Sequence, residues 1–108
     1  MATTYKVLGQ SNPAATTDTT LYTVPALTET VVSTITVANL GTSGTFRIAV
    51  RPAGAAIANQ HYIAYDVSLN ANDTITLTLG LTLDTTDVIT VRSSNAFFAF
   101  QAFGSEIA

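Results

Sequence analysis

Thr74-Ile75-Thr76-Leu77-Thr78-Leu79 is the stretch that decides the fold. Side chains on a strand point alternately to its two faces. This stretch therefore presents aliphatic residues on one side and short β-branched hydroxyls on the other. Ser33-Thr34-Ile35-Thr36-Val37 and Thr45-Phe46-Arg47-Ile48-Ala49-Val50 follow the same rule. Threonine suits a pleated, half-wet surface without carrying charge. Such segments predict an antiparallel sandwich with chemically quiet outer faces.

Working outward, turn-forming clusters punctuate the chain at close intervals. Gly41-Thr42-Ser43-Gly44 has hairpin length, Asn70-Ala71-Asn72-Asp73 and Asp84-Thr85-Thr86-Asp87 are turns by composition, and Pro25 and Pro52 end strands. Strands are predicted over residues 21–24, 29–40, 45–51, 61–69, 74–79, 81–83, 88–92 and 96–103, with 104–108 as a tail. No segment reads as an amphipathic helix. The expected fold is an all-β antiparallel sandwich, jelly-roll or immunoglobulin-like, of seven or eight strands. Residues 1–20 read differently, with an apolar patch at 5–8 followed by Gly9-Gln10-Ser11-Asn12-Pro13. They are expected to form an extended N-terminal arm with room for one short strand at 5–8, either a mobile terminus or a strand donated to a neighbouring copy. Residues 21–108 would then form the sandwich domain.

Composition narrows the function classes. The 108 residues make one domain, large enough for a real core. Charged residues are 10% of the chain, against about 25% in an ordinary soluble domain, and so weakly charged a surface favours association. Lys6, Arg47, Arg51 and Arg92 are the only basic residues besides one histidine, too few for a phosphate-tracking groove, so no nucleic-acid partner is expected. No apolar run approaches a membrane span, and the first residues have no signal-peptide layout. A cytoplasmic origin without membrane attachment is the expectation.

Few positions suggest chemistry. Without cysteine there is no disulfide or thiolate site. His61 lacks a partner at any telling spacing, so catalysis is not expected. Asp73, Asp84 and Asp87 lack the dense spacing of a calcium loop and suit turns that bond their own backbone. Neither a metal nor a cofactor is expected. Arg47 and Arg51 share one strand face, and Arg92 lies on the polar side of its own. They form either a cationic stripe for a glycan, an anionic surface or a partner carboxylate, or cross-strand pairs with Asp66, Asp87 or Glu29. The run Ala96-Phe97-Phe98-Ala99-Phe100-Gln101-Ala102-Phe103 places Phe98 and Phe100 on one face and Phe97 and Phe103 on the other. That predicts either a strand covered on both sides or an oligomer interface, and exposed apolar patches favour the interface. The candidate interface residues are Tyr5, Val7, Leu8, Arg47, Arg51, Phe97 and Phe103.

Several longer stretches carry a family resemblance. They are Thr-Thr-Tyr-Lys-Val-Leu-Gly-Gln-Ser-Asn-Pro (3–13), Leu-Tyr-Thr-Val-Pro (21–25), Phe-Arg-Ile-Ala-Val-Arg-Pro-Ala-Gly (46–54), Gln-His-Tyr-Ile-Ala-Tyr-Asp (60–66), Leu-Gly-Leu-Thr-Leu-Asp-Thr-Thr-Asp-Val-Ile-Thr-Val (79–91) and Phe-Gly-Ser-Glu (103–106). Together they resemble a family of small virion proteins of tailed phages, common in phages of marine bacteria and cyanobacteria. The resemblance implies a non-enzymatic tail, baseplate, fibre-attachment or capsid-decoration component. It would assemble with identical copies, as a trimer or higher ring, and with other virion proteins. No catalytic residues come with the family. The alternative expectation is a module that binds host glycans, with Tyr62 and Tyr65 available to stack on sugars.

Overall fold

A computed structural model describes residues 2–108. Eight strands follow in order: β1 (Thr3–Ser11), β2 (Thr19–Thr23), β3 (Glu29–Asn39), β4 (Gly44–Arg51), β5 (Tyr62–Leu69), β6 (Thr74–Leu83), β7 (Val88–Ser93) and β8 (Phe98–Ile107). Two single 3-10 turns, Pro52–Gly54 and Asn59–His61, lie in the connection between β4 and β5.

The pairing is nested. β4 pairs with β5, β3 with β6, β2 with β7 and β1 with β8, all antiparallel. The chain is thus one long hairpin. Rolling it brings β3 against β8 and β4 against β7 and divides it into two four-stranded sheets. The first sheet has the order β1-β8-β3-β6 and the second β2-β7-β4-β5. This winding is that of an eight-stranded jelly roll rather than an immunoglobulin sandwich, whose sheets have a different strand order.

The core follows from the alternation. Ile35 and Val37 from β3, Phe46 and Ile48 from β4, Ile89 and Val91 from β7, and Phe98, Phe100 and Ala102 from β8 are all buried between the sheets. The rings of Phe46, Phe98 and Phe100 lie with centroids 6.1–6.4 Å apart, within the favourable range for aromatic contacts. In the opening stretch Ile75 and Leu77 pack against this cluster, and the threonines between them face out.

Three sequence expectations are corrected. Residues 2–20 do not form a free arm, and Met1 lies outside the described residues. β1 pairs with β8 of its own chain, and β2 begins at Thr19, so a boundary after residue 20 cuts through a strand. The glycine read as a breaker is what lets β1 fit. A Cβ on Gly9 would stand 2.0 Å from the Leu21 carbonyl oxygen, so only glycine permits that approach. Asn12 then ties down the end of β1 by donating to the carbonyls of Ala96 and Phe98. The last strand is also displaced. β8 runs from Phe98 to Ile107, so residues 104–107 are strand rather than tail, and Phe97 precedes it in a turn. Gly104 belongs inside the strand because a Cβ there would meet the Val31 carbonyl oxygen at 2.0 Å. Finally, residues 74–79 and 81–83 are a single ten-residue strand, with Gly80 at φ 62° taking up a bulge.

Candidate functional site

The structure separates the sequence-predicted interface residues into four places. Tyr5, Val7 and Phe103 come together on the outer face of the first sheet. In β1 and β8 the pairs Tyr5–Ser105 and Val7–Phe103 face outward, while Phe100, Ala102 and Glu106 face in. Val31 and Ile107 extend the apolar strip. Tyr5 is 84% exposed and Val7 47%. One hollow of about 390 Å³ is lined by Tyr5, Val31, Phe103 and Ser105, with Lys6 at its rim. A second, of about 350 Å³, is lined by Glu29, Val31, Thr82 and Ile107. The rest of the face is Gln10, Gln101, Thr34, Thr36, Thr74, Thr76 and Thr78. Glu29, at one end, is the only charged side chain that these four strands place on that side.

Leu8 and Phe97 do not join this face. Leu8 sits on a bulge between Val7 and Gly9 that turns it toward the core. The Phe97 ring lies over Gly41, where a Cβ would stand 2.6 Å from the ring, and its carbonyl accepts from the Leu40 amide at 2.8 Å. It covers Gly41 at the end of the sandwich and stays 47% exposed.

Arg47 and Arg51 lie on the opposite outer face, that of the second sheet. Arg47 Nε donates to Asp66 Oδ1 at 2.7 Å and Nη2 to Oδ2 at 3.4 Å. Of the two readings the sequence left open, cross-strand pairing with Asp66 is thus present. A bulge builds this contact. Phe46 pairs with Val67 and Ile48 with Ala64, so Tyr65 and Asp66 together oppose Arg47. Asp66 adopts φ 50°, a conformation that costs a non-glycine residue free energy. The result is that neighbours in sequence flank one guanidinium, with Arg47 4.1 Å from the Tyr65 ring centroid. Tyr62 meets Tyr65 edge-on at 4.8 Å. The hydrogen bond with Asp66 raises the Arg47 pKa and holds the Asp66 carboxyl below its ordinary value. Arg92 faces Arg47 directly across the β4–β7 pairing and reaches Asp18 at 3.5 Å. Arg51 donates to Thr90 Oγ1 and to the carbonyls of Gly54 and Ala55.

A polar network between the sheets was not visible in the sequence. Tyr22 of β2 donates to Glu106 Oε2 at 2.5 Å, which uses its only hydroxyl proton. The contact at 2.8 Å with buried Thr30 Oγ1 is then made by the threonine donating to Tyr22. Lys6 Nζ lies 3.1 Å from Glu106 Oε1. Burial, then the bond to Glu106, pushes the Tyr22 phenol up to about 12, while the same bond, ahead of Lys6, holds Glu106 below its ordinary value. The signal would have been Glu106 two residues after Gly104 on the inward side of β8, visible only once the strand was known to continue there.

The remaining polar candidates bond to backbone. Asp87 accepts from the amides of Ala53 and Asp84, Asp84 from Thr85, and Asp73 from Thr74. His61 Nδ1 accepts from the Ala58 amide at 3.1 Å and closes a 3-10 turn. Among the described residues, no helix is long and apolar enough to cross a membrane. No protein-family model, curated protein or solved structure matches the chain.

Proposed function

We propose that the chain is a non-enzymatic structural component of a tailed-phage virion. In this reading it assembles as a symmetric oligomer through the outer face of its first sheet, in the tail, baseplate or fibre-attachment region or as a capsid decoration. The observation that carries the assembly is that nearly uncharged face. Its four strands, about ten residues long, give a plan area of about 600 Å². That approaches the roughly 800 Å² each partner contributes to a standard interface. Its apolar strip is Tyr5, Val7, Val31, Phe103 and Ile107, the kind of patch that marks contacts. β6 adds a second argument. It is a free edge of ten residues with neither charge nor proline, interrupted by the Gly80 bulge, so the regular stretch 74–78 is the part left open to pairing. The virion assignment rests on the family resemblance of the sequence, and the jelly roll, a winding found in viral capsid proteins, is compatible with it.

The test is sedimentation of the purified protein, followed by location of its density in images of the whole particle. A symmetric oligomer that the paired change Val7→Asp with Phe103→Glu converts to a folded monomer supports the reading. A wild-type monomer at all accessible concentrations, or a chain absent from purified particles, would refute it.

A second reading, a glycan-binding module used in host adsorption, is favoured by one observation. The bulge in β5 spends backbone strain to hold Tyr65 and Asp66 on either side of Arg47 on an exposed face.

A further inference from the structure

The second sheet's outer face carries a cleft that the oligomer does not require. It has a volume of about 180 Å³ and is lined by Thr16, Thr45, Arg47, Asp66, Arg92 and Ser94, with Ser93 at its base. Drug-sized ligand sites begin at roughly 300 Å³, so this cleft has room for one ring or one terminal group of a longer molecule.

Its construction is unusual in three respects. Arg47 and Arg92 are direct cross-strand partners. Their Cβ atoms are therefore about 5 Å apart, and like charges so placed destabilise a sheet. Six non-glycine residues among those described have positive φ, and two of them, Thr16 and Asp66, line this one cleft. Charge is also distributed unevenly. This face sets Arg47, Arg51 and Arg92 against Asp18 and Asp66. The rest of the chain sets Lys6 against Glu29, Asp73, Asp84, Asp87 and Glu106. The one net positive region of an acidic protein is the face that holds the cleft.

The two arginines are committed to different degrees. Arg47 is fixed by Asp66 through two nitrogens and stacked on Tyr65. Arg92 has a single long contact of 3.5 Å with the partly exposed Asp18, which leaves most of its five N–H donors to solvent. Ser94 Oγ accepts from the Thr45 amide at 2.9 Å, so its proton remains to be donated. Asp66 retains lone pairs after binding Arg47.

We propose that this cleft binds a carboxylate-bearing saccharide residue, whose acid group pairs with Arg92 in place of Asp18 and whose ring hydroxyls bond to Asp66 and Ser94. The inference rests on the glycan-binding reading and not on membership of a virion. A guanidinium with open donors matches a carboxylate in fork geometry. The adjoining acceptor and hydroxyl match a ligand that carries its own hydroxyls. An acidic peptide would present backbone amides in place of ring hydroxyls, and an oligoglutamate peptide is the control that separates the two classes. A second hollow of about 170 Å³, lined by Asp18, Thr20, Arg51, Ile57 and Thr90, adjoins the first at the Asp18–Arg92 contact. An acidic oligosaccharide can therefore continue along the face.

The test is calorimetric or NMR titration of the full chain with trigalacturonate and with its methyl ester, which has no charge. The acid form is expected to bind and the ester to bind at least tenfold more weakly, as loss of a charge-assisted bond implies. Arg92→Gln should weaken the acid form by a similar factor. Asp18→Asn, which frees Arg92, should tighten it several-fold and so tests the site by a gain that misfolding cannot mimic. Equal binding of acid and ester, both lost in Tyr65→Ala, would overturn the acid specificity and leave the glycan reading standing. No binding of either at low-millimolar concentration would overturn both. Binding of an oligoglutamate peptide equal to that of trigalacturonate would overturn the saccharide assignment.

Discussion

The two outer faces of this sandwich share a core and a strand count, yet they solve the same surface problem differently. The first sheet exposes threonine, glutamine and an apolar strip, with Glu29, Lys6 and Asp84 at its margins. The second gathers three of the chain's four lysines and arginines and pairs two of them with carboxylates. A face without charge tolerates burial against another protein, because nothing on it must be desolvated at great cost. A face with fixed, partly open charges favours a wet contact with a polar ligand. The difference teaches that the low overall charge of the chain is not spread evenly. It comes from one face almost emptied of ionisable groups.

The most severe way to break the comparison is to remove what both faces stand on. Phe46 lies between the sheets against Phe98 and Phe100. Phe46→Ala should cost about 3–5 kcal/mol and abolish assembly and ligand binding together, as chemical denaturation would show. Next in size is the asymmetric break. Val7→Asp with Phe103→Glu should dissociate the oligomer in sedimentation runs while the monomer keeps its β-sheet circular dichroism, and Arg92→Gln should leave the sedimentation coefficient unchanged. An equal effect of both on assembly would erase the distinction between the faces.

The Tyr22–Glu106–Lys6 network joins the sheets at one end and gives an intermediate effect. Tyr22→Phe should cost about 1–3 kcal/mol, since it removes a hydrogen bond to a charged group. Its pH dependence has a definite sign. Glu106 has a folded pKa below its ordinary 4.5. Its contribution is complete above that ordinary value and is lost as pH falls from there through the depressed folded value. The melting temperature of wild type should therefore exceed that of Glu106→Gln at neutral pH, and the gap should close in acid below about pH 4.5. A gap that widened in acid would contradict the assignment. The smallest effect is expected on the exposed side. Asp66→Asn should leave thermal stability nearly unchanged, because exposed pairs contribute little. It should nonetheless loosen Arg47, seen as broadening of the Tyr65 ring signals by NMR.

What the sequence made legible follows from regular alternation. The threonine–aliphatic stretches marked the inward residues of β3 and β4 and, in β6, Ile75 and Leu77, while Leu79, displaced by the Gly80 bulge, is exposed. Of the seven candidate interface residues, Tyr5, Val7 and Phe103 lie together on one face. What stayed hidden follows from bulges. Strict period-two reading puts Tyr65 and Asp66 on opposite faces, yet the extra residue in β5 places both beside Arg47. The same device turned Leu8 inward. Gly9 and Gly104 were read as breaks because composition cannot distinguish a glycine needed for a turn from one needed for close strand approach.

The nested pairing has a consequence for the order of events in folding. The innermost pair, β4 with β5, is closed by a short stretch of chain. The outermost joins Ala2 to Ala108 through reciprocal amide–carbonyl bonds of 2.7 and 2.9 Å. In a nested hairpin this pair can close cheaply only after the inner pairs have brought its ends together, and pairings so distant in sequence form slowly. β8 is also the last of these strands to be synthesised. Tyr5 and Val7 therefore reach their places only after the rest of the sandwich exists. If the chain assembles as proposed, a nascent or half-folded copy has no finished first-sheet face with which to recruit its neighbours, and assembly would wait for the closing of the sandwich's last seam.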